Sequence, residues 1–143
     1  MRRFQCDEQY IEALGRAVLN FAVLEYSVAH IIEGLQPGYL REYISQRKTA
    51  RRVAEDFAQA IERAKGDAAE AELTAIYNTF DALKDRRDKL LHANPMTAPD
   101  GAQVLRHQAR DILWDLNTVR QAATDFAAAA EKAGRLLHGA LRA

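Results

Sequence analysis

The chain reads as all-α: an antiparallel helical bundle of four long helices, with a short loop or hairpin before the last. Three observations predict this. Apolar residues recur three and four apart along four long stretches. Glycine and proline are scarce, seven and three in 143 residues, and they gather at the breaks between those stretches. Alanine is abundant, which favours helix over strand. The length is that of one ordinary domain. Without an internal repeat, low-complexity segment or linker, residues 1–143 form a single helical domain.

Met1–Cys6 is read as a frayed start. Asp7 can cap a first helix that runs to about Leu35, where Gln36-Pro37-Gly38 ends it. Leu14, Ala17, Phe21, Leu24, Val28, Ile31 and Leu35 draw its apolar stripe. Glu25 points into the flank of that stripe, an expensive place for a carboxylate unless a cation meets it. Tyr39–Ile44 is expected to make a short helical turn. A second long helix then runs from Ser45 or Thr49 to Ala64, with Val53, Phe57, Ala60, Ile61 and Ala64 facing inward.

Gly66 ends that helix and Asp67 opens the third, Glu70 completing a capping-box pattern. Leu73, Ile76, Phe80, Leu83, Leu90 and Leu91 all fall within roughly 60° of Arg87 on an ideal wheel. Arg87 is therefore a charge in the middle of an apolar stripe. Glu25 is its natural ion-pair partner, and such a pair would fix the register of the first and third helices.

Asn94-Pro95 stops the third helix. Met96–His107 is a loop in which Pro99-Asp100-Gly101 signals a turn, and Ala102–Leu105 is a candidate return strand. The last helix is placed from Ala109 to His138, with Ile112, Leu116, Val119, Ala123, Phe126, Ala130, Ala133 and Leu137 inside. The small residues Ala127 to Ala130 would let another helix approach closely.

Twenty basic and twenty acidic residues cancel, so no global field draws the protein to nucleic acid or membrane. Locally, Arg41, Arg47, Lys48, Arg51 and Arg52 crowd one region and Lys84 to Lys89 another. The single cysteine, Cys6, allows no internal disulfide and no thiolate zinc cluster. With no apolar signal segment, a reducing cytoplasm is the natural setting. No apolar run is read as long enough to cross a bilayer. Phosphate loops, H-E-x-x-H and nucleophile elbows are absent, and no metal or cofactor is expected. His30, His107 and His138 are read as surface residues, as is Cys6.

What remains is Arg87-Asp88-x-x-x-His92 at the end of the third helix. Asp88 and His92 are four apart, so carboxylate and imidazole can share one face. This segment resembles the R-x(4-6)-H motif of the HEPN superfamily, in which a polar residue commonly follows the arginine. The long first helix with Phe21-Ala22-Val23-Leu24-Glu25 is similar to the buried-acid first helix of many members, and the short loop and final long helix match the family's architecture. The resemblance spans roughly residues 10 to 138 in architecture but few positions in sequence. Arg86 is a second formal match to the motif. Asp88 departs from the familiar active form, in which asparagine follows the arginine.

The resemblance implies a metal-independent endoribonuclease, often a toxin or phage-defence effector, working as a homodimer with or without an antitoxin partner. Arg87, Asp88 and His92 would then be catalytic. His92 serves as general acid or base, Asp88 orients it, and Arg87 holds the phosphate. Arg47, Lys48, Arg51, Arg52, Arg86 and Lys89 are candidate RNA phosphate contacts. Five residues of helix turn through roughly 500°, so Arg87 and His92 point about 140° apart. Either the last turn unwinds or two subunits share the site.

Two rival readings stay open. One is a non-catalytic helical module that dimerises or docks a partner through the alanine-rich face of the last helix, with Trp114 nearby. The other is a nucleotide-binding module built on Arg47 to Arg52.

Overall fold

The structure, a computed structural model, describes residues 7–139; Met1–Cys6 lie outside it. These residues form α1 (Glu8–Leu35), α2 (Tyr39–Gln46), α3 (Ala50–Arg63), α4 (Glu70–Leu91), β1 (Asn94–Thr97), β2 (Gln103–His107), β3 (Ile112–Trp114) and α5 (Leu116–His138). The protein is mostly helical, with one small three-stranded sheet.

The helix boundaries follow from their caps. Asp7 accepts from the Gln9 N–H at 2.8 Å and starts α1, and Gly38, at φ 98°, takes the left-handed conformation that turns the chain into α2. The expected turn at Tyr39–Ile44 is thus an eight-residue helix. Thr49 caps α3 by accepting from the Arg52 N–H at 3.2 Å. α4 starts three residues later than Asp67: that carboxylate accepts from Ala69 N–H at 3.0 Å, while Glu70 reaches back to the Gly66 N–H at 3.0 Å. Glu70 makes the reciprocal half of the box, but to the residue before Asp67.

The expected start of the last helix at Ala109 is corrected. Ile112–Trp114 is a third strand, pairing antiparallel with β2 (Leu105↔Trp114), and β2 pairs antiparallel with β1 (Pro95↔Leu105). Ile112 fits the helical period of Leu116 and Val119, so periodicity alone extends the helix over it. A β-branched and aromatic run suits a pleated surface better. Asp115 then caps α5, accepting from both the N–H and the hydroxyl of Thr118 at 2.8 and 2.7 Å. Tyr10 ties the sheet to α1: its hydroxyl donates to Trp114 O at 2.7 Å and accepts from Leu105 N–H at 3.1 Å.

A simple antiparallel arrangement does not describe the helices. Tyr10 meets Trp114, the Asn20 side chain donates to Ala123 O at 3.0 Å, and Phe21 packs edge-on to Phe126 at 5.2 Å. Partners on α1 and α5 advance together, so these two helices run parallel. α4 runs against α1, with Phe80 stacked on Phe21 at 5.9 Å and Ile76 beside Leu24. The cause is local. α2 doubles the chain back along α1, bringing Tyr43 to Glu25, and the sheet returns it from the end of α4 to the start of α1.

The core gathers Phe21, Leu24, Val28, Phe57, Leu73, Phe80, Trp114 and Phe126, all nearly inaccessible. Ala17, Ala122, Ala129 and Ala133 are buried, which lets α1 and α5 approach closely. Trp114 and the inward alanines of α5 are therefore spent inside the molecule and not at an outer interface. Ala127 and Ala128 alone of that run are exposed.

α1 is, by length and composition, apolar enough to cross a membrane, contrary to the expectation from sequence, and only a third of its most apolar stretch is buried. The reason is that the helix carries two apolar stripes. One faces the core; the other, with Ile11, Val18, Leu19, Val23 and Tyr26, is exposed.

Candidate functional site

α4 ends at Leu91, and His92 is its C-cap, at φ −96° and ψ 9°. The His92 N–H still donates to Asp88 O at 2.9 Å, so the last turn stays wound as far as the histidine. Asn94-Pro95 then leaves the helix as β1. The His92 side chain is exposed. Leu91, expected on the buried stripe, is also out, at 49%.

Arg87 lies where the wheel puts it, facing α1. Its guanidinium sits over the Phe21 ring, 4.7 Å from the centroid, and the side chain is 23% exposed. Nη2 is 3.0 Å from Asp88 Oδ1, and Nε is buried with no hydrogen-bond partner. The cationic face of arginine against an aromatic quadrupole, with Asp88 on one nitrogen, accounts for a charge in this stripe without a carboxylate from α1 in contact.

The expected Glu25–Arg87 ion pair is corrected accordingly. Glu25 accepts from the Tyr43 hydroxyl at 3.0 Å. Burial raises the Glu25 pKa, while the Tyr43 hydrogen bond and then the attraction of Arg87 pull it down, and Asp88 pushes it up again. Arg87 therefore reaches Glu25 through the field and not through contact. Burial, with the Glu25 charge beside it, pushes the Tyr43 hydroxyl up to about 12.

Asp88 is likewise turned toward Arg87, so the carboxylate expected to orient His92 is engaged elsewhere. Arg87 and Asp88 are brought together; His92 stands apart from both side chains. Because the helix does not unwind before the histidine, Arg87 and His92 keep the separation the wheel gives them, whereas Asp88, one turn back on the face of His92, has turned to Arg87.

The basic residues divide. The Lys48 side chain is only 5% exposed, its Nζ 2.8 Å from Asp56 Oδ2 and 3.3 Å from Glu42, over the Tyr39 ring at 4.6 Å. The Tyr39 hydroxyl donates to the same Asp56 oxygen at 2.8 Å, and burial, with Asp56 next, holds its pKa far above the usual tyrosine range. Arg52 joins Asp56 at 3.3 Å, and Arg51 joins Glu55 at 3.6 Å. Arg86 pairs with Asp125 at 2.6 Å, which holds that carboxyl below its ordinary range.

Lys48 and Arg86 are thus both engaged in ion pairs, Lys48 from a nearly covered side chain and Arg86 through one nitrogen of a side chain 30% exposed. Arg47, at φ 49° on the α2 C-cap, is exposed, and Lys89 is half-buried. The nucleotide-module reading loses its centre with Lys48.

Phe21, Tyr43, Asp56 and Asp125 are the partners that the sequence did not reveal. Among the described residues, no group of three or more His, Cys, Asp or Glu is placed to hold a metal ion. No family model, curated protein or solved structure matches the chain.

Proposed function

We propose that this helical protein acts on RNA. More particularly, we read it as a metal-independent endoribonuclease of the HEPN type, working as a homodimer, in the manner of a toxin or defence effector that an antitoxin would restrain. The observation that carries this reading is Arg87. Its guanidinium lies on Phe21 with the side chain 23% exposed, Nε buried and one neighbouring carboxylate on Nη2. A planar cation fixed by an aromatic ring and partly open to solvent suits a phosphate oxygen.

The chemistry needs little more. The 2′-hydroxyl of RNA is the nucleophile, and a base takes its proton as it attacks phosphorus. The bond to the 5′-oxygen breaks, that oxygen is protonated, and a 2′,3′-cyclic phosphate remains. An imidazole at an exposed helix end can carry either proton. Arg87 stabilises the charge that grows on the phosphoryl oxygens. Because Arg87 and His92 leave α4 on different sides, the reading requires His92 of one copy to meet Arg87 of another.

A second reading, a non-catalytic helical module, is favoured by Asp88, whose carboxylate already occupies the fork that would take a phosphate. The test is cleavage of single-stranded RNA in EDTA. Wild-type protein is expected to cut it, and His92→Ala to leave it intact while melting like the wild type, since His92 is exposed. RNA left whole by a folded wild-type dimer overturns the nuclease and leaves the second reading.

A further inference from the structure

The exposed stripe of α1 is as regularly spaced as the buried one. Ile11, Gly15, Val18, Ala22 and Tyr26 succeed one another four, three, four and four apart, with Leu19 beside Val18. This is the seam spacing of a helix that packs along its length against another helix. Among the described residues only the Tyr43 ring, 6.4 Å from that of Tyr26, reaches its end, and Ile11 is 57% exposed, Leu19 63% and Tyr26 45%.

Read by size, the seam is a palindrome. Large Ile11 answers Tyr26, small Gly15 answers Ala22, and Val18 answers Leu19, each pair centred on the bond between Val18 and Leu19. A face that reads the same from either end is what an isologous contact requires, where each residue meets its opposite number across a twofold axis.

We infer that this face is the site where a second copy of the chain docks, α1 lying antiparallel on α1 about a twofold between Val18 and Leu19. Large residues then meet at the ends, small ones let the backbones close in between, and Val18 and Leu19 interleave at the centre. Polarity agrees. The Glu8 carboxylate comes within one residue of the level of His30 of the second copy, and opposed helix dipoles add to the attraction. With Val23 at the rim, the exposed parts of these side chains amount to several hundred Å² per copy, of the order of the roughly 800 Å² per partner in a standard interface.

The seam also borders the candidate site, because Glu25 stands one heptad beyond Val18, on its edge. The inference deepens the proposed function by naming the partner surface, and rests on the homodimer that the function calls for.

The test uses full-length protein in a Cys6→Ser background. Light scattering at micromolar concentration is expected to give twice the 16.1 kDa chain mass, and Leu19→Glu to give a folded monomer with the wild-type helical spectrum. Under oxidation Val18→Cys, next to the axis, is expected to link to itself. Ile11→Cys is expected not to, but to link to Tyr26→Cys when the two are mixed. A wild-type monomer, with or without binding to anionic lipid vesicles, overturns the inference. So does a dimer indifferent to Leu19→Glu, or self-linking of Ile11→Cys as fast as Val18→Cys. A dimer that passes these tests but leaves RNA intact removes the nuclease and keeps the interface.

Discussion

The Tyr43 hydroxyl of α2 donates to the Glu25 carboxylate of α1 at 3.0 Å, and that bond joins the short helix to the long one beside the candidate site. Glu25 is buried enough for its pKa to rise above 4.5 despite the hydroxyl and the nearby guanidinium. The folded state therefore holds the proton more tightly than the unfolded chain does. The stability linked to it is full below about 4.5 and is lost as pH rises through the higher folded value. Glu25→Gln is expected to match wild type in acid and to exceed it at neutral pH. Urea unfolding at a series of pH values reads the difference, and parallel curves at every pH would refute it.

Arg87→Ala removes a cation from the Phe21 ring and leaves Asp88, a half-exposed acid that water can serve, without its partner. The expected loss is about 1–2 kcal/mol, the range of a desolvated cation–π contact, well short of a broken buried ion pair. Arg87→Lys keeps the charge without the planar fork and should fall between. Thermal melts of the three proteins decide the order.

Asp56 gathers Lys48, Arg52 and the Tyr39 hydroxyl at one buried corner. Asp56→Ala leaves that hydroxyl without its acceptor and the Lys48 ammonium with Glu42 alone, so a loss of about 1–3 kcal/mol is expected in chemical denaturation. Arg51→Ala, an exposed neighbour, should change stability little.

Tyr10→Phe unties the sheet from α1, since one hydroxyl serves both Trp114 O and Leu105 N–H. The expected cost is about 1–3 kcal/mol. Hydrogen exchange should quicken at Leu105 and its neighbours on β2 before it does in α1. Uniform protection across both would contradict the role given to this hydroxyl.

Asp88→Asn removes the charge that competes for Arg87. If the guanidinium takes a phosphate, RNA should bind several-fold more tightly to the asparagine variant, and its salt dependence should steepen by about one unit of slope. A binding isotherm at two salt concentrations measures both. Unchanged affinity would speak against Arg87 as the phosphate holder.

How far the sequence carries can be judged from particular residues. Asp7, Thr49 and the Pro37-Gly38 break mark their helix ends by local chemistry, and the structure keeps them. Periodicity placed Phe21, Phe57, Phe80 and Phe126 in the core and Arg87 on its inner face. It did not reveal that Arg87 rests on Phe21, because a wheel gives direction and not contact. Asp125 with Arg86, and Asp56 with Lys48, lie on different turns or different helices, where no local spacing signals the pair. Ile112–Trp114 was misassigned because three residues are too few to separate a helical from an alternating pattern. The run of α1 beside α5 depended on the direction in which α2 and the sheet return the chain, which no single helix encodes.

That parallel pairing bears on how quickly the molecule assembles. Its contacts join residues 103 and 104 positions apart, so the first and last helices meet only after almost the whole intervening chain has been drawn in. Contacts so distant in sequence carry a loop-closure cost before they return any stability, and folding slows with their share of the total. The protein should therefore reach its native state more slowly than an up-and-down bundle of equal size, with α1 and α5 among the last surfaces to dock.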